Sequence, residues 1–349
     1  MKSRYLRAIS LAALPCALIG TPALAQSNLN LYGQVDLWGG TQRAIGGMRA
    51  GVVQSGGMST SYWGMKGSED LGDGMKAVFA LESFFQPQNG TIGRYPGDVF
   101  FSRNAYVGVE SPYGRLTIGR QSSNLFLSTI MFNPFKDSFV FSPMVLHTYL
   151  GQGGQGVIGD TGWNSAVQYV SPSFYDVVGK AMYSLGNTPG QNGAKKWSAQ
   201  LLMHGPLSVS AVYQYTNFSA TPGDIGSALR GAPGLTSQYA AQLALSYNFG
   251  FVKAFAQYQH VGDTLAGGSY SVNTGQAGVS VPLGPGEVLA SYAYSKSGGP
   301  GSGAIRRSWA IGYDYSLSKR TDIYAAYLND QLSGQSGGDA LGVGLRVAF

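Results

Sequence analysis

The chain has 349 residues, a formal net charge of +6, only 11% charged residues, 52 glycines and a single cysteine. Its cations are scattered rather than clustered, which excludes a phosphate-tracking stripe and with it a nucleic-acid partner. Cys16 alone cannot build a disulfide framework, and beyond the N-terminus no apolar run reaches the roughly 18–20 residues of a spanning helix.

Lys2, Arg4 and Arg7 precede the apolar run "AISLAALPCALIG", and Ala23-Leu24-Ala25 follows as a small-residue cleavage site. Residues 1–25 are therefore expected to be a cleaved secretory signal, with the mature chain at 26–349. Its removal takes Cys16 and three cations, leaving 20 basic residues against 17 acidic ones. Lipid attachment at Cys16 is disfavoured because Pro15 stands where a small residue is required.

From there the dominant signal is period-2 alternation, which predicts strands at 29–39, 58–68, 74–86, 100–110, 114–121, 163–171, 177–186 and 196–204. Eight more follow at 207–217, 237–248, 252–262, 270–281, 286–296, 304–315, 321–331 and 339–349. The last shows the pattern plainly: Leu341, Val343, Leu345, Val347 and Phe349 share one face, and Gly342, Gly344, Arg346 and Ala348 the other.

Connections alternate as regularly as the strands. Compact turns such as "SPYG", "HGP", "NFG" and "LSKR" exchange with longer glycine-rich ones at 40–57, 87–99, 122–162, 187–195, 218–236, 263–269, 297–303 and 332–338. An up-and-down sheet with short turns at one end and long loops at the other is the outer-membrane arrangement. Hydrocarbon offers no partner to a free N–H or C=O, so such a sheet must close. The expected fold is all-β, a transmembrane 16-stranded antiparallel up-and-down β-barrel. A secreted sandwich alternates too, but so many sequential strands ending on Phe349 do not distribute over two packed sheets.

Several stretches carry a family resemblance: "LYGQVDLWGG" (31–40), "SYWGMKGSEDLGDGMKAVFALESFF" (61–85), "FSRNAYVGVESPYGRLTIGRQ" (101–121), "SLSKRTDIYAAY" (316–327) and "GVGLRVAF" (342–349). They resemble the general porins of Gram-negative outer membranes, β-proteobacterial type. The resemblance implies a homotrimer in outer-membrane lipid, each barrel holding a water-filled pore for passive diffusion of small hydrophilic solutes and ions. It also implies that the third long loop, 122–162, folds inward as the constriction. Six aromatics on that loop, Phe126, Phe132, Phe135, Phe139, Phe141 and Tyr149, suit a packed segment better than a free one.

Pores of this type oppose wall cations to loop carboxylates, setting a field across a narrow eyelet. The resemblance makes Arg103, with Ala105 and Val107 on its face, a wall cation, and "NPFKDS" the loop tip, where Lys136 stands beside Asp137. Alternation against Trp63 and Met65 turns Lys66 and Tyr62 to the lumen; relatives commonly carry arginine at the position of Tyr62, so one wall cation is missing here. Alternation likewise turns Glu82 inward, and Asp36 with Gln34. Asp160, near the return of the loop, is a further candidate carboxylate. Arg115 falls inward beside a turn, whereas strict alternation sends Arg120 outward, so a twist or bulge is needed to bring Arg120 into the lumen.

An enzyme is not expected. None of His147, His204 and His260 sits in a nucleophile motif, no His–carboxylate spacing suits a metal, and no cofactor is implied. The alternatives are a substrate-specific channel, or an adhesin or receptor acting through long loops such as 40–57 and 218–236.

Overall fold

The computed structural model describes residues 28–151, 156–187, 195–218, 234–299 and 303–349. The expected signal at 1–25 and most of the 218–236 loop lie outside the described residues.

The strands are β1 (Asn28–Arg43), β2 (Arg49–Ser55), β3 (Tyr62–Gly72), β4 (Met75–Gln86), β5 (Thr91–Ile92) and β6 (Asn104–Ser111). Next come β7 (Gly114–Ser122), β8 (Gly162–Val170), β9 (Val177–Ser184), β10 (Lys196–Met203), β11 (Leu207–Asn217) and β12 (Leu235–Asn248). The chain ends with β13 (Lys253–Leu265), β14 (Gly268–Leu283), β15 (Gly286–Gly298), β16 (Ile305–Ser318), β17 (Thr321–Leu332) and β18 (Gly338–Ala348). β2 and β3 pair successively with the upper and lower parts of β1, so they form one stave with a break at 56–61, and β5 is a two-residue addition to β4. The result is a closed sheet of sixteen antiparallel staves in chain order, sealed by β1 against β18 from Gln34↔Ala348 to Arg43↔Asp339. Closure leaves no free edge to meet lipid.

All sixteen expected strands are present. One difference lies at 40–57, read from its glycines as a loop: β1 runs on to Arg43 and pairs with Arg49–Ser55 through a five-residue turn. This hairpin has no apolar face for a hydropathy pattern to reveal.

The outer face carries the exposed apolar side chains, such as Leu201, Tyr258 and Val343, and the inner face the polar ones. Glutamines and serines dominate the inner wall from β8 to β15, including Gln168, Gln200, Gln242, Gln257, Gln259 and Ser210. A core that would be apolar in a soluble domain is replaced here by an apolar exterior and a polar interior.

Loop 3, between β7 and β8, occupies that interior. A backbone hydrogen bond from Ser123 N to Thr161 O, 2.8 Å, closes its base. It contains two short helices, α1 (Asn124–Met131) and α2 (Pro143–Tyr149). Ser123 caps α1 by accepting from Phe126 N, and Ser142 caps α2, whose Pro143 occupies the first turn where no N–H is needed. Phe132, Phe135 and Phe141 are fully buried. Phe141 meets Trp38 edge-on at 5.4 Å, within a cluster that takes in Leu289, Tyr324 and Leu328 of the far wall. Each such phenylalanine contributes roughly 1.5–3 kcal/mol toward keeping the loop inside.

Candidate pore constriction

Four staves build the first half of the site. On β4, Glu82 accepts hydrogen bonds from Tyr32 of β1, Asn104 of β6 and Arg103, which just precedes β6. The Arg103 guanidinium also lies 4.1 Å from the centre of the Tyr62 ring, and Lys66 Nζ lies 4.7 Å from that of Tyr32. Glu82 is buried beneath these groups, whereas Lys66 is exposed on the inner face. The carboxylate thus orients the arginine from behind, and Arg103, Tyr62 and Lys66 present the wall's surface.

Arg103 does not share a face with Ala105 and Val107, as alternation suggested. Val107 points outward and is 61% exposed, while Arg103 joins Glu82 on the inside. The strand begins only at Asn104, so the period of two has no hold on the residue before it.

The tip of loop 3 supplies the other half. Lys136 adopts a left-handed conformation, φ +47°, and is exposed, although its neighbours Asn133, Phe135 and Ser138 are buried. Asp137 accepts from Ser59 Oγ at 2.6 Å, and its charge acts on both Arg103 and Tyr62. Among the described residues neither Lys66 nor Lys136 forms an ion pair, so each is a free cation facing water inside the barrel.

Asp36 is a correction. It points inward but is fully buried, accepting from Gly57 N (3.1 Å), Met58 N (3.0 Å), Ser59 N (2.8 Å) and the Tyr324 hydroxyl. Its work is to hold the break between β2 and β3, onto which the tip residue Ser138 docks through the Gly57 carbonyl. Gln34 belongs to the same turn, donating to Thr60 O at 3.2 Å.

Arg120 also stands away from the water. The register shifts between Gly119 and Gln121, and Gly119 takes φ +139°, where a Cβ would collide with the Ala105 carbonyl. This bulge turns the Arg120 side chain inward. There it is buried, donating to Ser102 O (2.8 Å), to Asn164 Oδ1 (2.5 Å) and to Asp160. Asp160 is shared with Arg94 of the second long loop, bidentate at 2.6 and 3.1 Å, and Arg94 in turn holds Asp98 at 2.8 Å. Burial alone would raise the Asp160 carboxyl, but hydrogen bonds and charge from Arg94 and Arg120 outweigh it and hold it well below the usual carboxylate range. Asp160 and Arg120 therefore latch loop 2 to the return of loop 3 and do not line the constriction. Arg94 carried no sequence signal, since an arginine in a polar loop has no period to betray it.

A closed barrel with a polar interior, a loop packed inside it and exposed cations on its inner surfaces is the geometry of a diffusion channel. The sequence profile described as Gram-negative porin matches residues 10–335. The chain belongs to the Gram-negative porin family. An outer membrane porin protein of Bordetella pertussis is 26% identical, over 97% of this chain and 99% of its own length. Outer membrane porin protein 32 of Delftia acidovorans is 28% identical, over 96% and 93%. Among solved structures, an anion-selective porin from Comamonas acidovorans superposes with a TM-score of 0.76 at 24% identity, covering 93% of this chain and 100% of that one. The family and the closed barrel make this an outer-membrane channel protein.

Two further features of this porin escaped the sequence reading. Arg346 bridges Asp314 and Asp322, both at 3.0 Å, in an inward charged row on β16 to β18. Alternation sets Arg346 on the face opposite the apolar residues of β18, but it gives no sign of the pairing. Arg306 of β16 donates to Asp330 through Nε (3.0 Å) and Nη2 (2.7 Å), and through Nη1 to the carbonyls of Leu146 (3.1 Å) and Leu150 (2.9 Å). Beside it His147 is buried between Ser295 Oγ (2.5 Å) and Ser308 Oγ (2.7 Å); burial, then the nearby Arg306 charge, pulls its imidazole well below the ordinary value.

Proposed function

We propose that this porin is a general diffusion channel whose eyelet lies between Arg103, Tyr62 and Lys66 on the wall and Lys136 and Asp137 on loop 3, with a mild preference for anions. The observation that carries this reading is the pair of exposed lysines, Lys66 and Lys136, without an ion pair among the described residues, on inner surfaces where Glu82 is already engaged by Arg103 and Asp36 by backbone N–H groups. An uncompensated cation in a narrow aqueous path lowers the barrier for anions and raises it for cations. The Comamonas relative, described as anion-selective, is consistent with it.

The working unit is a homotrimer. Exposed tyrosines and tryptophans, among them Tyr183, Trp197, Tyr247, Tyr292 and Trp309, ring the outer face from β9 to β16. The face around β1, β18, β6 and β7 is mainly aliphatic, with Leu29, Leu31, Val107, Ile118 and Val343 exposed. Aromatic girdles belong at lipid–water interfaces, so their thinning supports turning this face to the sister barrels. Residues 1–25 act as the export signal.

Liposome swelling tests the channel reading. Folded protein is expected to admit small neutral solutes at rates that fall steeply with solute size; swelling no faster than in protein-free liposomes would contradict it.

A further inference from the structure

Beside loop 3, β2, the end of β4 and the connection at 87–99 line a half-open cavity of about 700 Å³, with Gln54, Gln86, Gln88, Tyr95, Phe139 and Tyr149 on its walls. We infer that it is a binding subsite for a neutral polyhydroxylated solute, a mono- or disaccharide, which pauses there before reaching the eyelet. The inference rests on the channel reading and adds a solute class to it.

The volume falls within the roughly 300–1,000 Å³ of small-molecule sites. Its lining joins two chemistries. Phe139 and Tyr149, ring centres 6.4 Å apart, are both partly exposed and form an aromatic floor. Such faces suit the apolar C–H surface of a pyranose ring. The glutamines supply amides that both donate and accept, which is what hydroxyl groups require. Gln88 is held in place, accepting from Ser55 N at 3.1 Å and donating to Gln86 Oε1 at 2.9 Å. Gln86 Nε2 and the whole Gln54 amide have no protein partner among the described residues.

Charge argues for a neutral occupant. Arg94 and Asp160 also reach the cavity, but they are bound to each other within a group of two guanidiniums, Arg94 and Arg120, and two carboxylates, Asp98 and Asp160. That group has no net charge to draw an ion, unlike the lysines of the proposed eyelet. An uncharged solute would therefore gain more here than a charged one.

Calorimetric titration of sucrose and maltose into the folded protein in detergent tests the inference. At least one sugar is expected to bind saturably, with half-saturation in the millimolar range. Phe139→Ala should raise that concentration about tenfold, the equivalent of one lost aromatic contact. Because Phe139 also packs on Phe126, Gln86→Ala provides a second variant at the rim, expected to weaken binding severalfold. Absence of saturable heat with either sugar, or unchanged affinity in both variants, overturns the subsite. Ion conductance of the same preparation without sugar decides the channel reading separately.

Discussion

Arg306, on the wall of the barrel, donates a 2.9 Å hydrogen bond to the carbonyl of Leu150, at the C-terminal end of the helix that lies across the lumen. A cation at that end meets the negative pole of the helix and satisfies carbonyls that have no partner of their own. The same guanidinium is fixed by Asp330, so wall and loop are joined through one side chain.

Removing it should free the loop. Arg306→Ala leaves Asp330 buried without its cation, a loss of about 3–5 kcal/mol for pairs of this kind. The expected result is faster chymotrypsin cleavage within loop 3 and a noisier open-channel current. The double variant Arg306→Met, Asp330→Leu should recover much of the thermal stability but not the quiet current, because the helix carbonyls stay uncapped.

His147 should make loop packing acid-sensitive. Its imidazole is neutral when buried and its folded value lies below the ordinary 6.5 or so. The unfolded state therefore binds a proton first as pH falls. The contribution of His147 is complete above pH ~6.5 and declines progressively below it. Thermal unfolding followed from pH 8 to 5 should show this decline, and His147→Gln should flatten it.

Asp160 should contribute nothing to that decline, because its own loss falls at lower pH. Its carboxyl is held below the ordinary value by Arg94 and Arg120, so the latch between loops 2 and 3 is fully formed above about pH 4 and persists below it. Asp160→Asn should mimic the lost charge at neutral pH, leaving two guanidiniums against Asp98 alone. Trypsin is then expected to cut after Arg94, a site protected in the parent protein at both pH 7 and pH 5.

The Tyr62 ring lies against the Arg103 guanidinium on the inner wall. Tyr62→Arg should add a wall cation and shift the zero-current potential further toward anions. Glu82→Gln should act more weakly on charge but loosen Arg103, broadening the current distribution, since the carboxylate also collects Tyr32 and Asn104.

Much of the barrel was legible because lipid and water impose unlike faces on every strand. Leu116 and Ile118 against Arg115 and Thr117 needed no further information. Legibility ended where the ladder became irregular. Arg103 sits one residue before its strand, and Arg120 follows a bulge whose only trace is Gly119. Asp36 was correctly turned inward, yet nothing in its neighbourhood announced that residues 57–59 would fold back over it. The helices of loop 3 are too short for a period to emerge, although Ser142-Pro143 carries the start signal of α2. Loop-to-loop pairs such as Arg94 with Asp160, 66 positions apart, belong to tertiary structure alone.

In the proposed channel, Lys66 and Lys136 give the narrowest part of a water-filled path an excess of positive charge. Planar bilayers separating unequal KCl concentrations test it most directly. The expected result is stepwise, ohmic conductance with a reversal potential on the anion-selective side, moved toward zero by Lys136→Gln and further by Lys66→Gln with Lys136→Gln. Stepwise conductance with cation selectivity in the parent protein, or a reversal potential indifferent to both lysines, would contradict the assignment of the eyelet; no conductance from folded protein would contradict the channel itself.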